Sequence, residues 1–137
     1  MRAPESFIAK RLGLGADSVL AVVSAPDGYV DGLVLPSGVR VRTSARGRVD
    51  ALVFFATRRA ELARRLPAMV RAVGPDGALW IAWPRRTAGV ATDLTDPVVR
   101  DLAFDAGLEV AATGVVDAAW SGVRLAVRAR ARTRAVS

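Results

Sequence analysis

The sequence predicts a three-layer, doubly wound α/β sheet, mostly parallel, with an antiparallel C-terminal strand pair. Three observations lead there. Short apolar runs at 19–23, 51–56 and 79–83 are too brief for buried helices and too continuous for strands covered on one face only. Amphipathic helical patterns separate or follow them, as parallel strands require. Two strand-like pieces, 110–116 and 123–128, close the chain with no helical pattern between them.

Residues 6–12 suit a short amphipathic helix with Phe7, Ile8 and Leu12 inward, broken by Gly13 and Gly15. The run from Val19 to Val23 is the first buried strand, and residues 24–28, with Pro26 and Gly28, form a turn. Residues 39–43 alternate apolar and charged side chains, the pattern of a strand near an exposed edge. Residues 50–55 form the second buried strand. Leu62, Leu66, Met69, Val70 and Val73 then share one helical face. Pro67 lies inside that pattern and predicts a kink or two short helices. Gly74, Pro75 and Gly77 stop the helix before the third buried strand at 79–83. Thr95 or Asp96 caps a further helix, with Pro97 in its first turn, and Gly107 ends it. The expected order is α-β-β-β-α-β-α-β-β, in one domain over residues 1–128 with a basic tail at 129–137.

The 137 residues carry a net charge of +7, with 20 basic against 13 acidic side chains, and Lys10 is the only lysine. Arg128, Arg130, Arg132 and Arg134 supply four of those seven charges. The tail, rather than the body, makes the chain look like a nucleic-acid binder. With no Cys and no His, disulfides, thiolate nucleophiles, Cys/His zinc sites and imidazole bases are excluded. No apolar run approaches the roughly 20 residues that span a bilayer, and the start lacks a signal-peptide pattern, so a cytoplasmic protein with no membrane partner is expected.

The segments at 50–55, 66–84 and 110–128 resemble the class I methyltransferase variant of the Rossmann fold. Its pattern is an acidic residue followed by an apolar strand, a helix, a Pro-Gly turn with a buried strand, and a terminal antiparallel pair. The likeness covers roughly residues 17–130. Five segments, 58–62, 65–68, 77–85, 89–95 and 120–125, further resemble a small domain-of-unknown-function family of high-GC bacteria. That resemblance implies a reduced methyltransferase-like fold and no established activity. Methyltransferases of this class bind S-adenosylmethionine (SAM) with a Gly-rich turn after the first strand and an acidic residue ending the second. Here the turn at 24–28 has one glycine and a proline that removes an amide donor, and the second strand runs into Thr43, Ser44 and Arg46 with no carboxylate. The cofactor site is read as absent or rebuilt, and no cofactor or metal is expected.

Ligands of open α/β sheets bind beyond the carboxyl ends of the strands. The side chains expected on that rim are Ser24 and Asp27 after the first strand, Arg58 and Arg59 after the second buried strand, Trp83, Arg85 and Arg86 after the third, and Asp117 and Trp120 in the terminal turn. Converging guanidinium groups suit an anionic ligand or an acidic protein surface. Arginines after strands are equally ordinary solvated surface, and tryptophans ordinary core. The functional expectation is a small-molecule or protein-binding regulatory module on a degenerate methyltransferase-like scaffold, without catalysis. The alternatives are a divergent SAM-dependent methyltransferase and a basic nucleic-acid adaptor acting through the tail. Oligomeric state is not legible in the sequence.

Overall fold

The computed structural model describes residues 12, 14–44 and 46–127. The expected first helix, Leu12 apart, and the basic tail lie outside them. In chain order the elements are β1 (Val19–Val23), a 3-10 turn (Val30–Gly32), β2 (Arg40–Arg42), β3 (Ala51–Phe55), α1 (Arg59–Val73), β4 (Ala78–Pro84), a second 3-10 turn (Arg86–Ala88), α2 (Asp96–Asp105), β5 (Leu108–Asp117) and β6 (Trp120–Val127).

The strands form one six-stranded sheet in the order β2-β1-β3-β4-β6-β5. β1 pairs in parallel with β2 and β3, and β3 in parallel with β4. β6 is antiparallel to both β4 and β5, so it alone runs against the rest. This is the mostly parallel sheet with an antiparallel closing pair that the apolar runs predict. β1, β3 and β4 are the buried centre: Leu20, Ala51, Leu52, Val53, Phe54, Trp80 and Ile81 have no exposed surface. β2, with all three residues exposed, is the edge that its alternating charges predict.

Both described helices pack on one face. Leu62, Leu66 and Met69 of α1 and Val99 and Ala103 of α2 join Leu52, Phe54, Ile81 and Trp83 in one cluster. The opposite face, with Val53, Phe55, Trp80 and Val116, is covered by Leu12, Tyr29 and the loop residues Val30, Leu33 and Leu35. The connection from β1 to β2 therefore crosses over with a 3-10 turn in place of a full helix.

α1 corrects one expectation: it runs unbroken through Pro67 from Arg59 to Val73. Pro67 and Ala63, whose carbonyl it leaves without an intrahelical donor, both face solvent. At this exposed turn solvent can satisfy the free carbonyl, so the proline is tolerated inside the helix. In β5, irregularities between Val110 and Ala112 and between Val115 and Asp117 each insert one residue. The first flips the alternation, so Val110 packs on the helical face and Ala112 on the other.

Candidate functional site

The chain goes from β1 outward to β2, then returns to β3 on the other side of β1. This reversal is the topological switch of the sheet, and ligands of such sheets lie in the crevice at its carboxyl edge. Immediately after β1, Ser24 adopts φ 61°, a left-handed conformation that a non-glycine side chain rarely takes. Such a residue costs on the order of 1–2 kcal/mol and persists where the surroundings enforce it, often at functional sites. It bends the chain sharply off the strand and opens a cleft of about 310 Å³ over the ends of β1 and β2. Its walls are Val22, Ala25, Pro26, Gly28 and Val30, and its polar side chains are Ser24, Asp31 and Thr43.

A second, larger cleft of about 650 Å³ lies further along the same edge. Trp83, Pro84 and Leu94 give it apolar walls, Thr113 and Ser121 of the closing strands face it from one side, and Arg85 and Arg86 stand at its rim. Arg85 is held in place: its amide donates to the Ala119 carbonyl at 2.9 Å and its Nη1 to the Ala118 carbonyl at 3.3 Å. The tight turn between β5 and β6 is thereby tied to the end of β4.

The helix starts beside these clefts are capped in part by the chain's own groups. At α1 the Arg59 amide donates to Asp93 Oδ1 at 2.6 Å, while Thr92 Oγ1 donates to the Thr57 carbonyl at 2.7 Å and accepts from the Leu94 amide. Asp93 thus supplies the negative charge that a helix N-terminus favours. At α2 the Thr95 hydroxyl accepts from the Val98 amide, and Pro97 offers no donor. The cationic side chains nearest the larger cleft are Arg85 and Arg86.

The residues singled out from the sequence divide as follows. Trp83, Arg85 and Arg86 share the larger cleft, and Trp83 is 6% exposed. Ser24 belongs to the smaller one, whereas exposed Asp27 lines neither. Arg58 and Arg59 are exposed at the start of α1, on the same edge but outside both clefts. Asp117 and Trp120 face each other across the β5–β6 turn. The Trp120 ring stands edge-on to Phe55 at 5.0 Å, and Phe55 to Tyr29 at 4.7 Å, a packed aromatic row on the face opposite the helices. Asp31, Thr43 and Thr113 are not among the rim residues expected from the sequence, and Ser121 falls inside the expected terminal turn without being singled out. Nothing in their local pattern sets them apart, because the β1–β2 connection and the end of β2 bring Asp31 and Thr43 to one cleft and the β5–β6 hairpin brings Thr113 and Ser121 to the other. Among the described residues no group of three or more acidic side chains is placed to hold a metal ion, and no helix is long and apolar enough to cross a membrane.

The fold is that of SAM-dependent methyltransferases in reduced form. A SAM-dependent methyltransferase from Aquifex aeolicus matches with a TM-score of 0.62 and 17% identity, over 90% of this chain and 91% of that one. The mitomycin 7-O-methyltransferase matches with a TM-score of 0.63 and 11% identity, over 93% of this chain and 53% of that one. An O-methyltransferase from neocarzinostatin biosynthesis, in complex with SAM and a naphthoic acid, matches with a TM-score of 0.59 and 13% identity, over 81% of this chain and 49% of that one. The chain spans about half the length of these last two enzymes. No protein-family model matches the sequence, and no curated protein does.

Proposed function

We propose that this chain is a divergent methyltransferase-type domain whose switch-point cleft receives the nucleoside part of a SAM-class ligand. The observation that carries the reading is the cleft after β1, opened by left-handed Ser24 at the topological switch of a methyltransferase-like sheet. Its residues fit a nucleoside. Val22 and Val30 offer apolar contact to a base, while the Asp31 carboxylate and Thr43 hydroxyl can accept and donate hydrogen bonds to ribose hydroxyls. When bound, SAM supplies an electrophilic methyl group. The larger cleft, with Trp83 and Leu94 as walls and Arg86 at its mouth, is placed to hold a methyl acceptor with an anionic group beside it. The chain's part in any transfer is to bind and orient, which alone lowers a barrier substantially. Membership of the small high-GC bacterial family belongs to this reading and rests on the five segments quoted above.

A second reading, a binding module without catalysis, is favoured by the turn itself. Pro26 withdraws an amide donor where a glycine-lined turn would face the methionine moiety, and β2 ends without a carboxylate. Calorimetric titration with S-adenosylhomocysteine separates the two. The proposed function predicts saturable binding at about 10–100 µM, or roughly −5.5 to −7 kcal/mol, weakened at least tenfold by Asp31→Ala. Absence of heat up to millimolar ligand overturns it and leaves the second reading.

A further inference from the structure

The outer faces of the two helices carry opposite and unbalanced charge. On α1, Arg64 and Arg71 are exposed and lie seven residues apart, two turns along one stripe. On α2, Asp101 and Asp105 are exposed one turn apart. None of these four is in an ion pair among the described residues, where the two pairs present are Arg65–Glu61 and Arg100–Asp96. The arrangement is unfavourable within one molecule. Asp101 and Asp105 repel each other at i,i+4, and Asp105 ends the helix, where the dipole disfavours negative charge.

Apolar surface accompanies the charge. Phe104 is 60% exposed on α2, and Pro67 is exposed between Arg64 and Arg71 on α1. The positions also match in register. Each helix returns the chain from the carboxyl to the amino edge, so the two run the same way. The helix starts lie near one level, because Asp93, three residues before α2, accepts from the amide of Arg59, the first residue of α1. Counted from them, Arg64 and Asp101 are both the sixth residue of their helices, and Pro67 and Phe104 both the ninth. A two-fold axis parallel to the helices therefore lays α1 of one copy on α2 of another, with Arg64 level with Asp101 and Pro67 level with Phe104.

We propose that this helical face is a self-complementary interface that joins two copies of the chain. The contact is isologous, so each charge pair and each Pro67–Phe104 contact occurs twice. A polyanion would meet the acidic half of the same face, which argues against nucleic acid as the occupant. A two-helix face at most about 22 Å by 20 Å buries about 440 Å² on each copy, about 900 Å² in all, which is below the standard range and in that of transient contacts, hence a weak, reversible dimer further weakened by salt.

Sedimentation equilibrium of the full chain tests this through charge reversal. The wild type should show a monomer–dimer equilibrium whose dissociation constant rises at least tenfold between 50 and 500 mM NaCl. Arg64→Asp and Asp101→Arg should each weaken self-association at least tenfold, because each places like charges at both contacts. Mixed in equal amounts, the two variants should associate at wild-type strength, since their heterodimer restores both pairs. Circular dichroism melts check that each variant folds. A wild type that stays monomeric at every concentration, or variants whose mixture stays apart, would overturn the proposal. So would a monomer in which Arg64→Asp abolishes binding to single-stranded RNA, which would assign the basic helix to nucleic acid.

Discussion

Replacing Gly122 with alanine probes how tightly the closing strands are packed on the sheet. Gly122 lies in β6 opposite Ala82 of β4 and Gly114 of β5. A Cβ there would overlap the Val116 Cγ2 methyl and approach Trp80 Cε3 to 3.3 Å. Neither neighbour has room to move, since Val116 and Trp80 are fully buried and Val116 is β-branched and stiff at χ1. Overpacking of this kind costs about 1–3 kcal/mol. Removing a glycine from a strand returns about 0.5–1 kcal/mol. With both neighbours held, the upper part of the overpacking range applies, about 2–3 kcal/mol, so the expected net loss is about 1–2.5 kcal/mol, or a fall of about 3–8 °C in Tm for a chain of this size. Chemical denaturation of wild type, Gly122→Ala, Val116→Ala and the double variant measures it. Val116→Ala removes both γ-methyls, including the Cγ2 that the new Cβ would meet, so the double variant should be at least about 1 kcal/mol more stable than the two single losses added together. A neutral Gly122→Ala, or strict additivity, would refute the packing argument.

Pro67→Ala should stabilise the chain by about 1–2 kcal/mol, read from the midpoint of urea unfolding, because it restores a backbone bond to Ala63 at an exposed site. Asp93→Ala should cost about 1 kcal/mol by removing the acceptor of the Arg59 amide, and faster exchange of the first α1 amides should accompany it. Thr95→Ala should cost a similar amount through the lost cap of α2, whereas Thr95→Ser should leave the thermal midpoint within about a degree.

Strand positions were legible where burial on both faces leaves an uninterrupted run. Val19–Val23 was read to the residue, and β3 and β4 to within one position at each end. The start of α2 is legible to within one residue, Thr95 or Asp96, because capping is local; the cap is Thr95, one hydroxyl and an amide three residues on. Pro67 misled because the sequence shows a proline in a helix but not which way that turn faces. Strand order was not read, since adjacency of β1 to both β2 and β3 is decided by long-range packing. The same holds for the site. The Asp93 bond to Arg59 spans 34 residues, and Asp31 and Thr43 line one cleft beside a left-handed serine that composition does not announce. Arg85 and Arg86 line the larger cleft because they follow β4 at an edge where strand ends meet. Their division from Arg58 and Arg59 depends on where the 92–97 segment lies.

The most direct test of the proposed nucleoside site is amide chemical-shift mapping of the labelled protein during titration with S-adenosylhomocysteine. The account predicts saturating shifts concentrated at Val22, Ser24, Gly28, Asp31 and Thr43, with the amino ends of β1 and β3 unmoved. No saturating shifts, or shifts confined to the cleft between Trp83 and Ser121, would contradict it.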